Sequence, residues 1–229
     1  MKRVHIIVEG QTEVKVFYSI LVPYIKSKVG EENVYIEITP IKHSGGGIVK
    51  YSKLLPELRN HLADKEKIVT TFFDYYGIYE GYDYPKYKEA KIDQSNAKVG
   101  VVLMEDGLKE DLSSKGINTR NFIPYIQLHE FEALLFSSDE GFEFQYDKGG
   151  ILRELKDVSN RYPNPEDIND SPVTAPSKRI IKILEKYDEK YEKVIDGDAI
   201  SIMVGIEAMM AKCPRFKVWV ETLILKILA

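Results

Sequence analysis

The chain has one cysteine, Cys213, in 229 residues. A lone thiol closes no internal disulfide and builds no cysteine-rich zinc site, so disulfide scaffolds and zinc fingers are excluded. A reducing compartment, the cytoplasm by default, is the expectation. Long apolar runs are also missing. Nowhere do about 18 apolar residues follow one another, so no transmembrane helix is expected. The apolar run behind the basic start MKR extends only from Val4 to Val8 and breaks at Glu9, which is too short for a secretion signal. Nor is there an excess of positive charge. With 32 Lys and Arg against 36 Asp and Glu, the net charge is −4, which argues against a general binder of polyanions. The imbalance is local: residues 130–175 hold eleven acidic and four basic residues, and residues 176–229 hold eight and ten. A polyanion would meet the C-terminal part first.

What is present suits a globular protein with a substantial core, since 44% of residues are hydrophobic and 30% charged. Val4–Val8 is short, β-branched and ends at Glu9-Gly10, as a buried parallel strand does. Val14, Phe17, Ile20, Leu21, Tyr24 and Ile25 then recur at helical spacing. A second strand is expected over Val34–Ile41, a helix through Leu54, Leu58 and Leu62, and a third strand over Ile68–Phe73, ending at Asp74. Residues 75–98, with six tyrosines, read as a surface-lying loop. A helix over Lys98–Leu112, a fourth strand over Phe122–Leu128 and a helix starting at Glu130–Phe136 follow. Strands separated by helix-length segments imply an α/β fold, a four-stranded, mainly parallel sheet flanked by helices, over residues 1–140. Residues 141–229 read as a loop-rich segment and a C-terminal helical appendage packed on it, with Ser177 as the N-cap of a helix over 178–191.

Ligands of open parallel sheets gather at the C-terminal strand ends. Those ends carry Glu9, Asp74, and then His129, Glu130 and Glu132. Oxygen-only donors with no cysteine pair and few histidines suit Mg²⁺ or Mn²⁺, and such an ion acts on phosphate esters. Glu130 and Glu132 lie two apart, so on a regular helix only one of them faces the site. Taken singly, each carboxylate is also explained as a turn or capping residue, and Glu13 suits the first turn of a helix. Glu9 and Asp74 together are harder to explain so, because both directly follow very apolar strands. His43, before the run Ser44-Gly45-Gly46-Gly47, lies where backbone N–H groups approach phosphates, although neither phosphate-loop fingerprint is present. Tyr76 adjoins the site, and Lys178-Arg179 open a helix.

The motifs VEGQTE at 8–13, TTFFDYYG at 70–77, IPYIQLHEFEALLF at 123–136, NDSPVTAPSKRI at 169–180 and KCPRF at 212–216 resemble, in order and nearly end to end, the uncharacterised-domain family numbered 4276, a Toprim-like family. The resemblance implies a Toprim-like sheet related to those of OLD-family nucleases and DnaG-type primases. In that fold a glutamate ends the first strand and an Asp-x-Asp pair binds Mg²⁺. Glu9 and Asp74 match the first two positions, and Tyr76 stands where the second aspartate is expected. Glu130 or Glu132 is then expected to complete the shell. The candidate substrate-binding positions are Gly10, Glu13, His43, Tyr76, His129, Lys178 and Arg179, the last two favoured by the resemblance. The family brings no settled activity; the carboxylates lead to the expectation of a Mg²⁺-dependent nuclease or related phosphodiester-acting protein on DNA or RNA, and an ATPase partner is implied by analogy. The replacement by Tyr76 keeps a non-catalytic, nucleic-acid- or nucleotide-binding regulatory subunit open as the alternative.

Overall fold

The computed structural model of the chain describes residues 1–42, 47–92, 97–168 and 174–229. The first strand, β1 (Lys2–Val8), leads through Gly10 into α1 (Gln11–Val16), a π turn (Phe17–Leu21) and α2 (Val22–Val29). The expected single helix is therefore continuous but carries a wider turn just before Pro23. A proline supplies no N–H to the i to i−4 ladder, and the turn absorbs that gap. β2 (Val34–Pro40), α3 (Tyr51–Leu62) and β3 (Lys67–Asp74) follow. The tyrosine-rich stretch folds into two 3₁₀ turns and the short α4 (Tyr87–Ala90), before α5 (Ala97–Ser114). This stretch is not wholly at the surface, because Tyr75 and Tyr84 are each only 4% exposed.

The sheet is parallel throughout, in the order β2-β1-β3 and then two short strands, β4 (Phe122–Ile123) and β5 (Ile126–Gln127), both paired with β3. The expected fourth strand is thus split in two at Pro124, which has no N–H for the ladder. Thr71 spans the split: its hydroxyl accepts the Tyr125 N–H at 2.9 Å and donates to the Tyr125 carbonyl at 3.1 Å. Side-chain alternation divides the apolar residues between the two faces. Val4, Ile6, Val8 and Phe72 join one cluster, whereas Ile7, Val69 and Phe73 join the other with α3 and α5.

The second half of the chain builds the first of these clusters. A 3₁₀ segment (Phe131–Ser137), α6 (Glu140–Gln145), α7 (Gly149–Arg161), α8 (Pro176–Glu185), α9 (Lys193–Val204), α10 (Ile206–Lys212) and α11 (Pro214–Leu228) complete the chain. Helices α7 to α11 place Ile151, Ile180, Ile200, Met209 and Phe216 in the same cluster as β1. They therefore cover one sheet face. Trp219 on α11 donates its indole N–H to Thr70 on β3 at 2.8 Å. A Cβ on Gly141 would meet the Ile200 carbonyl at 2.7 Å, so glycine lets α6 lie close against α9. The segment expected as a helix from Glu130 is instead 3₁₀, and helix α8 begins at Pro176 with Ala175, not Ser177, as its N-cap. It also stops at Glu185, short of the expected end, and Asp188 beyond it is left-handed at φ 59. No helix of the described residues is long and apolar enough to cross a membrane.

Thr71→Val preserves side-chain shape but leaves the Tyr125 N–H and carbonyl without their partner. It is expected to cost about 1–3 kcal/mol of stability, read from the midpoint of urea unfolding at unchanged slope.

A candidate carboxylate site at the sheet edge

β1 and β3 run side by side, with Val8 opposite Phe72, so the chain leaves both strands at the same edge. Glu9 and Asp74 meet there. The Asp74 N–H donates to Glu9 Oε2 at 3.3 Å, and Asp74 Oδ1 accepts the Phe131 N–H at 3.0 Å. Asp74 thereby ties the β1 end to the 3₁₀ segment after β5. The extended backbone of Glu130, at φ −144 and ψ 157, followed by a 3₁₀ turn is irregular enough for Glu130 and Glu132 to face the same place. Gly77 matters locally. A Cβ there would lie 3.0 Å from Glu9 Oε2 and 3.2 Å from Ile48 Cγ2, so glycine leaves room for the Glu9 carboxylate.

Electrostatics define the cluster. Burial first, then the charges of Glu9, Glu13, Glu132 and Glu130, holds the Asp74 carboxyl well above its ordinary range. Burial, with Glu13 adding to it, raises Glu9 to about 7, against hydrogen bonds from the Asp74 and Ile48 backbone. Burial also raises Glu13, whose Oε2 accepts the Gly10 N–H at 2.9 Å in a capping box. Glu130 Oε2 accepts the Ser177 N–H at 2.9 Å and so joins α8 to the site. Glu132 is raised by burial and is countered by Lys193, whose Nζ lies 2.8 Å from Glu132 Oε1.

Five carboxylates thus share one edge with one lysine. Sequence reading had named all five of these acids, Glu13 among the substrate contacts. It missed Lys193, which starts a helix more than a hundred residues downstream and carries no local signal. It also missed Tyr84, a buried hydroxyl without a hydrogen-bond partner among the described residues, whose ionisation burial and then Glu9 disfavour.

The other expected positions are placed differently. Gly10 lies at the site as the N-cap of α1. Tyr76 stacks on His129 at 5.0 Å between ring centroids, and its N–H donates to the His129 carbonyl at 3.3 Å. His129 is buried, which pushes it down to about 4 against Asp167, with Lys91 and Lys98 adding to the fall. It is therefore neutral near pH 7. Arg179 turns to the Thr174 carbonyl at 2.7 Å and to the Tyr162 hydroxyl at 3.2 Å, while Lys178 is exposed. His43 lies outside the described residues.

The donor chemistry fits a hard divalent cation: all-oxygen ligands, mutually repelling, at one buried edge. Among the described residues, however, no three His, Cys, Asp or Glu side chains form a ready metal cage. Backbone N–H groups already hold oxygens of Glu9, Glu13, Asp74 and Glu130, whereas Glu132 Oε1 is paired with the Lys193 ammonium but has no hydrogen-bond partner among the described residues.

With this geometry, the chain belongs to the family described as Domain of unknown function (DUF4276), whose model matches residues 8–224. No curated protein and no solved structure matches it.

Folded Glu9 keeps its proton up to about pH 7, whereas an unfolded glutamate gives it up near 4.5. The folded state therefore binds more protons between those values, and stability falls as pH rises through that window. Glu9→Gln removes the penalty. In the presence of EDTA it is expected to stabilise the protein by about 1–3 kcal/mol at pH 8, and by nothing at pH 4.5, in paired urea titrations.

Proposed function

We propose that this chain acts on phosphodiesters with the help of a bound Mg²⁺ or Mn²⁺ ion, as a nuclease or related phosphotransfer enzyme on DNA or RNA. The observation that carries the reading is the convergence of Glu9, Glu13, Asp74, Glu130 and Glu132 on one end of a parallel sheet, where their mutual repulsion calls for a cation. Asp74, Glu130 and Glu132 would hold the ion with Glu9. When bound, the ion neutralises phosphate charge and lowers the pKa of a water. Glu9 would act as a further ligand or as the base that takes a proton at the reacting oxygen. Asp74, fixed by the Phe131 N–H, orients the edge, and the Tyr76–His129 stack borders it. The net charge of −4 leaves little positive surface for a polyanion, which favours an ATPase or other partner supplying it. The single thiol, Cys213, is buried and free, in keeping with a cytoplasmic setting.

A second reading, a non-catalytic nucleic-acid- or nucleotide-binding regulatory subunit, is favoured by Tyr76 at the second aspartate position, where it stacks on His129. The two part on one assay. Single- and double-stranded DNA and RNA are incubated with the protein and Mn²⁺ or Mg²⁺. Cleavage is expected with either ion, blocked by EDTA and lowered by about 10²–10⁴-fold in Glu9→Gln and Asp74→Asn. Equal cleavage by both variants sinks the proposed site. Ion binding without cleavage moves the assignment to the regulatory reading.

A further inference from the structure

Lys193 is the basic side chain that acts on Glu9, Glu13 and Glu132 alike. Burial alone would lower its proton affinity, but Glu132, Asp74 and Glu130 outweigh that and hold the ammonium above the ordinary lysine range. Its contact with Glu132 is asymmetric. The Glu132 side chain is 2% exposed, whereas that of Lys193 is 49% exposed. The carboxylate is fixed in the protein interior, and the lysine reaches it from the surface on a flexible stem. Two buried hydroxyls flank the cluster without hydrogen-bond partners among the described residues: Tyr84, close enough to Glu9 to feel its charge, and Tyr191, which feels Glu132 and Glu130. Such buried polar atoms call for a further polar partner beyond the described residues.

We propose that Lys193 is a tethered competitor for the cation position: its ammonium holds Glu132 in the metal-free protein and withdraws to solvent when a divalent ion takes that carboxylate. The inference deepens the metal-dependent reading and rests on it. A single positive charge held by an exposed arm keeps the buried acids compatible with folding before metal arrives. The same charge, a few ångströms from an incoming ion, opposes its binding. Displacement frees Glu132 to close on the ion, which the present spacing of the described carboxylates does not hold, while Asp74 and Glu130 stay tied to backbone donors.

The test is Mn²⁺ titration calorimetry on the full chain at pH 8, comparing the native protein with Lys193→Met and Lys193→Arg. Lys193→Met is expected to bind Mn²⁺ about tenfold or more tightly, and Lys193→Arg, which keeps the charge, is expected to show no such gain. Lys193→Gln carries the same comparison should the methionine variant fold poorly. Binding to the neutral variant but not to the native protein also supports the competitor. If the native protein binds Mn²⁺ and the neutral variant binds it equally or more weakly, the competitor is overturned while the metal site stands. If none of them binds Mn²⁺, both are overturned.

Discussion

Like charges do not gather in a protein interior without a reason. At the end of β1 and β3 this chain sets Asp74 among four glutamates, and burial together with their charges raises its proton affinity. Left as they are, such groups are costly, because burial and repulsion both disfavour their ionised forms. Much of the surrounding structure is organised around that cost. Backbone N–H groups of Gly10, Asp74, Phe131 and Ser177 point at the carboxylates, and Lys193 supplies the one full positive charge.

These contacts also link the two halves of the chain. Asp74 binds the segment after β5, Glu130 binds the start of α8, and Glu132 binds the start of α9. Asp74 joins the sheet edge to the 3₁₀ segment, and Glu130 and Glu132 join that segment to α8 and α9 of the layer that covers the sheet. The same layer buries Phe72 and Trp219 between β3 and α11, with their rings 5.5 Å apart. A comparable device serves structure alone elsewhere: Glu166 accepts the N–H groups of Arg215 and Phe216, both at 3.0 Å, and anchors α11. The difference lies in number. One carboxylate at a helix start is a cap, whereas five at one sheet edge, one of them paired with Lys193, exceed what capping requires.

The sequence makes part of this legible. β1 and β3 are largely apolar and are followed or ended by acids, so Glu9 and Asp74 stand out from their positions alone. The break at Pro124 is harder to read, since Phe122–Leu128 looks like one strand until Thr71 is seen bridging it. Phe131–Ser137 is buried along its whole length, which erases the periodicity that tells a 3₁₀ segment from an α-helix. Composition also misleads at Tyr75 and Tyr84, where a polar tyrosine-rich stretch hides two buried rings. Glu13 has a sufficient local explanation in its capping box, and Lys193 has none at all. Lys193 becomes visible as a site residue only when α9 is brought against the sheet.

The central claim is that this edge is built to hold a divalent cation between Glu9 and Asp74. A crystal soaked in Mn²⁺ tests it most directly. Anomalous density is expected between those two side chains, with Glu132 turned to the ion and the Lys193 ammonium withdrawn. A saturating soak that leaves the edge free of anomalous density, with Lys193 still on Glu132, would contradict it.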